Sequence, residues 1–163
     1  MEDRAYIPTE YAESLKAHAM KPGDVVVAGL GDDRMPLGRA AIVPEAFGSG
    51  IVKADCYRVR PGKRVTSEYL AWALSSPQSR TQFRALSRGS TRQRLNTQVV
   101  RDVVIPLPTL EVQIEVVTKF HDARQTNAAL VAKASEMIEM LKERRQALIS
   151  AAVTGKIDVR GLA

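Results

Sequence analysis

Two hydrophobic patterns divide this chain. Up to about residue 108, apolar residues come in short runs separated by glycine and proline. A Pro-Gly turn precedes Val25, Val26 and Val27, the glycine-bounded stretch GDDRMPLG follows, RAAIVP is stopped by Pro44, and EAFGSG turns the chain again. IVKADCYRVRP then partly alternates, with Val52, Ala54 and Cys56 against Lys53, Asp55 and Tyr57. Branched residues favour extended backbone and Gly and Pro punctuate it, so three short strands of a small twisted sheet are expected. A short polar helix is expected near Glu10 to Ala19. Thr66 or Ser67 should cap a helix over EYLAWALSS. Ser76 and Pro77 should open another over PQSRTQFRALS, with Gly89 as its left-handed stop. Trp72 and Phe83 lie at helical spacing among leucines and alanines and read as core. TQVVRDVVIPLP is a further valine-rich segment, ending in two prolines.

From Thr109 the pattern changes. Thr109 is a helix cap with Glu111 in the first turn, where the helix dipole favours an acid. No proline follows, and the first glycine is Gly155, a suitable stop with Lys142, Arg144 and Arg145 ahead of it. At about 1.5 Å per residue such a helix is on the order of 65 Å long. Val116, Phe120, Ala123, Asn127, Leu130, Ala134, Met137, Leu141, Arg144, Leu148 and Ala151 are spaced alternately by four and three residues, which makes a heptad seam. Asn127 and Arg144 are its polar members, and a buried asparagine in such a seam fixes register and partner number. A helix packed along its own domain is the plainer alternative, but the remaining 108 or so residues offer too little surface to cover one this long. The expected organisation is a globular domain over 1–108, a long pairing helix over 109–154 and a tail over 155–163. The fold class is α+β: a small twisted sheet with flanking helices, followed by one long coiled-coil-type helix.

The 163 residues suit one modest core. No run is long and apolar enough for a membrane span, and MEDRAYIPTEY is too polar for a signal peptide. The one cysteine, Cys56, cannot form an internal disulfide and reads as an inert, packed thiol, which fits a reducing cytoplasm. Net charge is +6, but its distribution matters more. Lys53 to Arg101 carries eleven basic residues and two acids, a balance of +9 that leaves −3 for the rest. That asymmetry points to a polyanion partner, most often nucleic acid. Within it, SRGSTRQRLN holds three arginines and no acid.

Little here points to catalysis. His18 and His121 stand far apart and neither has zinc-ligand spacing. GLGDDRMPLG lacks the third glycine of a dinucleotide fingerprint. Asp24, Asp32 and Asp33 have no glutamate at the twelfth position of a calcium loop. Asp32 and Asp33 beside Arg34 read as a solvated loop. No nucleophile, base and orienter stand together, so a binder is expected, with no metal and no cofactor of its own.

STRQRLN, then VVIPLPTLEVQ, then LKERRQALISAAVTGKIDVRG to the end resemble the specificity subunit of type I restriction-modification systems, most closely over the last 75 or so residues. IPLPTLEVQ is similar to the family's junction between recognition domain and long helix, and ALISAAVTGKIDVR to its usual end. KPGDVVVAG with GRAAIV resembles the recognition-domain sheet more loosely. The resemblance implies a non-catalytic, cytoplasmic subunit that reads one half of a split double-stranded DNA site per recognition domain. Family members carry two such domains, whose helices pair antiparallel as a spacer. They position modification subunits that methylate adenine with S-adenosylmethionine, and a restriction subunit can join. One domain and one helix here imply a C-terminal half, a naturally split half-subunit or a fragment, completed by a second recognition domain or by a homodimer through the helix.

On that footing the SRGSTRQRLN loop faces DNA phosphates. Arg88, Arg92 and Arg94 supply charge, Gly89 lets the main chain approach, and Ser90 and Thr91 donate hydrogen bonds. Gln93 and Asn96 carry amides able to read adenine, and Arg92 or Arg94 could read guanine instead. Arg34, Arg39, Lys53 and Arg58 join this face, and Arg80 and Arg84, one helical turn apart, could flank the groove. The competing reading is a coiled-coil interaction protein whose basic segment binds RNA or DNA without specificity. It has no use for the Pro-Leu-Pro junction or the terminal Gly-Lys-Ile-Asp-Val-Arg phrase.

Overall fold

The computed structural model describes residues 6–32, 34–87 and 93–157. Its α+β architecture is the expected one. Helix α1 is Thr9–Ser14, and a 3-10 turn follows over Lys16–His18. Strands β1 (Val25–Ala28), β2 (Ala40–Ile42) and β3 (Cys56–Val59) form a sheet in the order β2-β1-β3, both pairings antiparallel. Helices α2 (Ser67–Leu74), α3 (Pro77–Leu86) and α4 (Thr97–Asp102) follow, then α5 (Leu110–Val153). The chain divides between Val117 and Thr118 into two compact units. The first holds the sheet, α1 to α4 and the start of α5; the second holds the rest of α5.

Because β1 is the central strand, its alternate residues Val25 and Val27 point into the core and are fully buried. They meet Leu37, Leu70, Leu74, Phe83, Leu95 and Val99 there. Each such side chain contributes about 1.5–3 kcal/mol when fully withdrawn from water. Gly38, at φ 78°, lies so close to Phe83 that a Cβ would overlap the ring.

At one end of the sheet, Asp24 and Arg60 lock the strand starts and ends together. Arg60 donates Nε to Asp24 Oδ1 and Nη2 to Oδ2, both at 2.7 Å, and the Lys21 N–H donates to the same carboxylate at 2.8 Å. The paired guanidinium holds the Asp24 carboxyl below its ordinary value, against the opposing effect of burial.

Local chemistry explains the helix ends. The Thr66 and Ser76 hydroxyls accept from the N–H of Tyr69 and Ser79 and cap α2 and α3. Thr109 starts α5: its carbonyl accepts the first helical bond, from Gln113 N, at 3.0 Å. The Glu111 carboxyl is held below its ordinary value by its own backbone N–H and by the Thr109 hydroxyl. Gly155, at φ 72°, ends α5 in a Schellman turn, with Lys156 N donating to Ala151 O and Gly155 N to Ala152 O.

Three expectations need correction, and one segment left without an assignment gains one. The third strand is shorter than its alternation implied, because Asp55 adopts φ 64° and breaks extension just before Cys56. Val52, Ala54 and Cys56 are therefore not one strand face. Trp72 is half-buried rather than core; its ring tilts against buried Tyr69 at a centroid distance of 5.8 Å. Helix α3 stops at Leu86 with Ser87 already extended, two residues before Gly89, which lies outside the described residues. The first half of TQVVRDVVIPLP is a helix, α4, because the Asn96 side chain accepts from Val99 N at 2.9 Å and caps it.

Candidate nucleic-acid interface

The far end of the sheet brings three segments together. The Gly29 N–H, just past β1, donates to Asp55 O at 2.7 Å, and Gly29 O accepts from Leu95 N at 2.9 Å. Leu30 and Arg94 form an antiparallel bridge. The Tyr57 hydroxyl donates to Leu95 O at 2.6 Å, and burial raises that hydroxyl's pKa. Only glycine fits at position 29, where a Cβ would lie 2.5 Å from Tyr57 Cε2 and 2.7 Å from Asp55 O. The loop after β1, the turn before β3 and the segment from Gln93 to Asn96 are thus sewn into one rigid patch.

The candidate DNA residues distribute over this patch unevenly. Arg94 is exposed, with Nε 3.5 Å from Asp55 Oδ1. Arg34 and Lys53 are exposed on the two neighbouring segments, and Gln93 is half-buried. The loop holding Arg34 is shaped by Asp32, whose Oδ1 accepts from the N–H of Arg34 and Met35. Arg39 and Arg58 are half-buried and partly engaged within the protein. Arg39 Nη1 donates to Pro36 O at 2.8 Å, and Arg58 Nη1 donates to Ala19 O. Asn96 spends one carbonyl lone pair on its cap, leaving its NH2 uncommitted to that role. Arg88, Gly89, Ser90, Thr91 and Arg92 lie outside the described residues. On α3, Arg84 is exposed, while Arg80 is half-buried with its Nε enclosed and unpaired.

Sequence reasoning did not find Tyr57, Asp55 or Gly29 as the stitches of this patch. Each acts through a contact far away in the chain, which local periodicity does not record. Among the described residues no three His, Cys, Asp or Glu side chains gather as a metal site, and no helix is long and apolar enough to cross a membrane. Free Cys56 is half-buried.

A family model described as the type I restriction modification DNA specificity domain matches residues 10–140, from α1 well into α5. The chain belongs to that family. Its curated relatives include the type I restriction enzyme StySPI specificity subunit of Salmonella potsdam and the EcoKI specificity subunit of Escherichia coli K12. Each is 24% identical to it over 155 residues, which is 95% of this chain and 33% of the relative. The chain therefore spans about a third of the length of these relatives.

Proposed function

We propose that this chain reads one half of a split double-stranded DNA site and scaffolds an adenine-methyltransferase complex, without catalysing the reaction itself. The observation that carries the reading is membership of the specificity-domain family together with a +9 segment whose Arg94 lies on a rigid, exposed patch. Arg88, Arg92 and Arg94 contact phosphates, with Ser90 and Thr91 donating to the same oxygens. Gln93, Asn96 and one of the arginines face base edges. Arg34 and Lys53 extend the cationic surface, and Arg39 and Arg58 contribute through the donors their internal bonds leave over. The seam of α5 pairs with a second recognition domain's helix or with a second copy of this chain. Modification subunits, which carry the S-adenosylmethionine, assemble on it, and a restriction subunit joins them.

The test is the salt dependence of DNA binding. Arg92→Ala and Arg94→Ala should each weaken binding and flatten the log–log salt slope by roughly 0.9 for every phosphate no longer neutralised. An unmoved slope in a variant that still melts cooperatively would put the loop off the DNA backbone.

A further inference from the structure

Asp55 is an acid in a basic neighbourhood. Lys53 to Arg101 holds eleven basic residues and two acids, and the other acid, Glu68, lies in the first turn of α2. Asp55 instead stands on the candidate DNA patch, third in a four-residue turn closed by Cys56 N donating to Lys53 O at 3.1 Å. Its φ is 64°. Glycine and asparagine meet that conformation most readily, so the turn itself requires no carboxylate. The neighbouring acid Asp32 shapes its own loop, accepting from the N–H groups of Arg34 and Met35. The Asp55 carboxylate is directed at a candidate DNA residue, with Oδ1 3.5 Å from Arg94 Nε.

Both partners sit on fixed backbone. Asp55 O accepts from Gly29 N at 2.7 Å, Arg94 bridges Leu30, and the adjacent Leu95 is held by Gly29 O and by the Tyr57 hydroxyl. The Asp55 side chain is 34% exposed and that of Arg94 63%, so the pair contributes little to stability. What it constrains is direction. Its closest approach is through Nε, the nitrogen nearest the stem, so the two Nη groups lie at the outer end of the tethered fork. As a pair, two such donors match the O6 and N7 acceptors of guanine. A neutral base edge tolerates the adjoining carboxylate, whereas a phosphate is repelled by it.

We propose that Asp55 is a positioning residue for specificity: by tethering Arg94 it aims the guanidinium at a guanine of the half-site and penalises its use as a general phosphate contact. The inference rests on the DNA reading above. It assigns Arg94 as the arginine that faces a base edge in the target complex, while on non-target duplex Arg94 neutralises a phosphate. An acid that lowers overall affinity thereby raises the ratio of target to non-target binding, which discrimination against a large excess of other DNA requires.

The test uses the full chain with its modification subunits and a pool of random-sequence DNA duplexes. Affinity for the unselected pool is measured against salt, and bound sequences are then enriched and sequenced. Asp55→Asn and Asp55→Gly both accept positive φ, so the turn persists in each, and cooperative melting checks that it does. Each should bind the unselected pool several-fold more tightly, with a log–log slope steeper by up to roughly 0.9. Each should also lose on the order of tenfold preference for G·C at one position of the enriched site. In an Arg94→Ala background, Asp55→Asn should leave base preference unchanged, which separates aiming from general repulsion. Unchanged base preference in both single variants overturns the proposal, whatever happens to affinity. So does a further shift in preference with Arg94 already removed. An unmoved salt slope in Arg92→Ala and Arg94→Ala would instead defeat the DNA reading itself, and the proposal with it.

Discussion

At the scale of single residues, Asp24 sets the acid stability of the fold. Its carboxylate is buried and bonded to a half-exposed Arg60. Its pKa is depressed in the folded chain, so it contributes fully above the ordinary aspartate value of 3.8 and loses that contribution as pH falls below it. Asp24→Asn should therefore be less stable near neutral pH and should lose less on acidification, as thermal melts from about pH 2 to about pH 7 would show. Arg60→Ala should lower the melting temperature near neutral pH more than an ordinary surface substitution does, because it strands a buried carboxylate. Asn96 offers a sharper separation of roles. Asn96→Asp keeps the cap of α4, since asparagine and aspartate cap about equally. It removes the NH2 and adds a negative charge. Unchanged melting with weaker DNA binding is the expected result; unchanged binding takes Asn96 off the DNA face.

At the scale of elements, α5 carries the clearest unmet requirement. Every residue from Thr118 to Ser150 is exposed, including Leu130, Met137, Leu141 and Leu148 at 51–61%. An apolar seam on a helix of 44 residues is stabilised chiefly by tertiary or quaternary burial. Replacing Leu130, Met137 and Leu141 with lysine should abolish self-association or modification-subunit binding. Light scattering for mass and co-purification for binding measure the two arms, and no change in either contradicts the seam.

The elements also show what is legible in the sequence. The caps at Thr66 and Ser76 and the stop at Gly155 are readable because their chemistry is local: a hydroxyl three residues before an N–H, or a glycine able to take positive φ. The third strand reads too long because nothing nearby announces that Asp55 turns left-handed. The cap at Asn96 stays hidden because its partner, Val99, sits in a valine-rich run whose spacing does not announce a helix. Spacing alone puts Trp72 in the core, and spacing does not say how much of a large ring the neighbours cover. The stitch from Tyr57 to Leu95 stays hidden because its partner lies 38 residues away. The candidate site is legible as charge, in the arginines from Arg88 to Arg94, but its rigid base is not.

At the scale of the whole molecule, charge is concentrated where the proposed contacts are: +9 between Lys53 and Arg101 against −3 elsewhere. Non-specific attraction to a polyanion needs only that charge. A specificity function needs more, namely amides and arginines held at fixed positions and a second reading head at a fixed separation. Two copies paired through antiparallel helices would be related by a two-fold axis and would read a symmetric split site.

The decisive measurement is selection of protected sites from random DNA, with the modification subunits present and methylation as the readout. Two short half-sites, separated by a spacer of constant length and containing adenine, are the predicted result. Enrichment of one continuous site, or of no sequence at all, would contradict it.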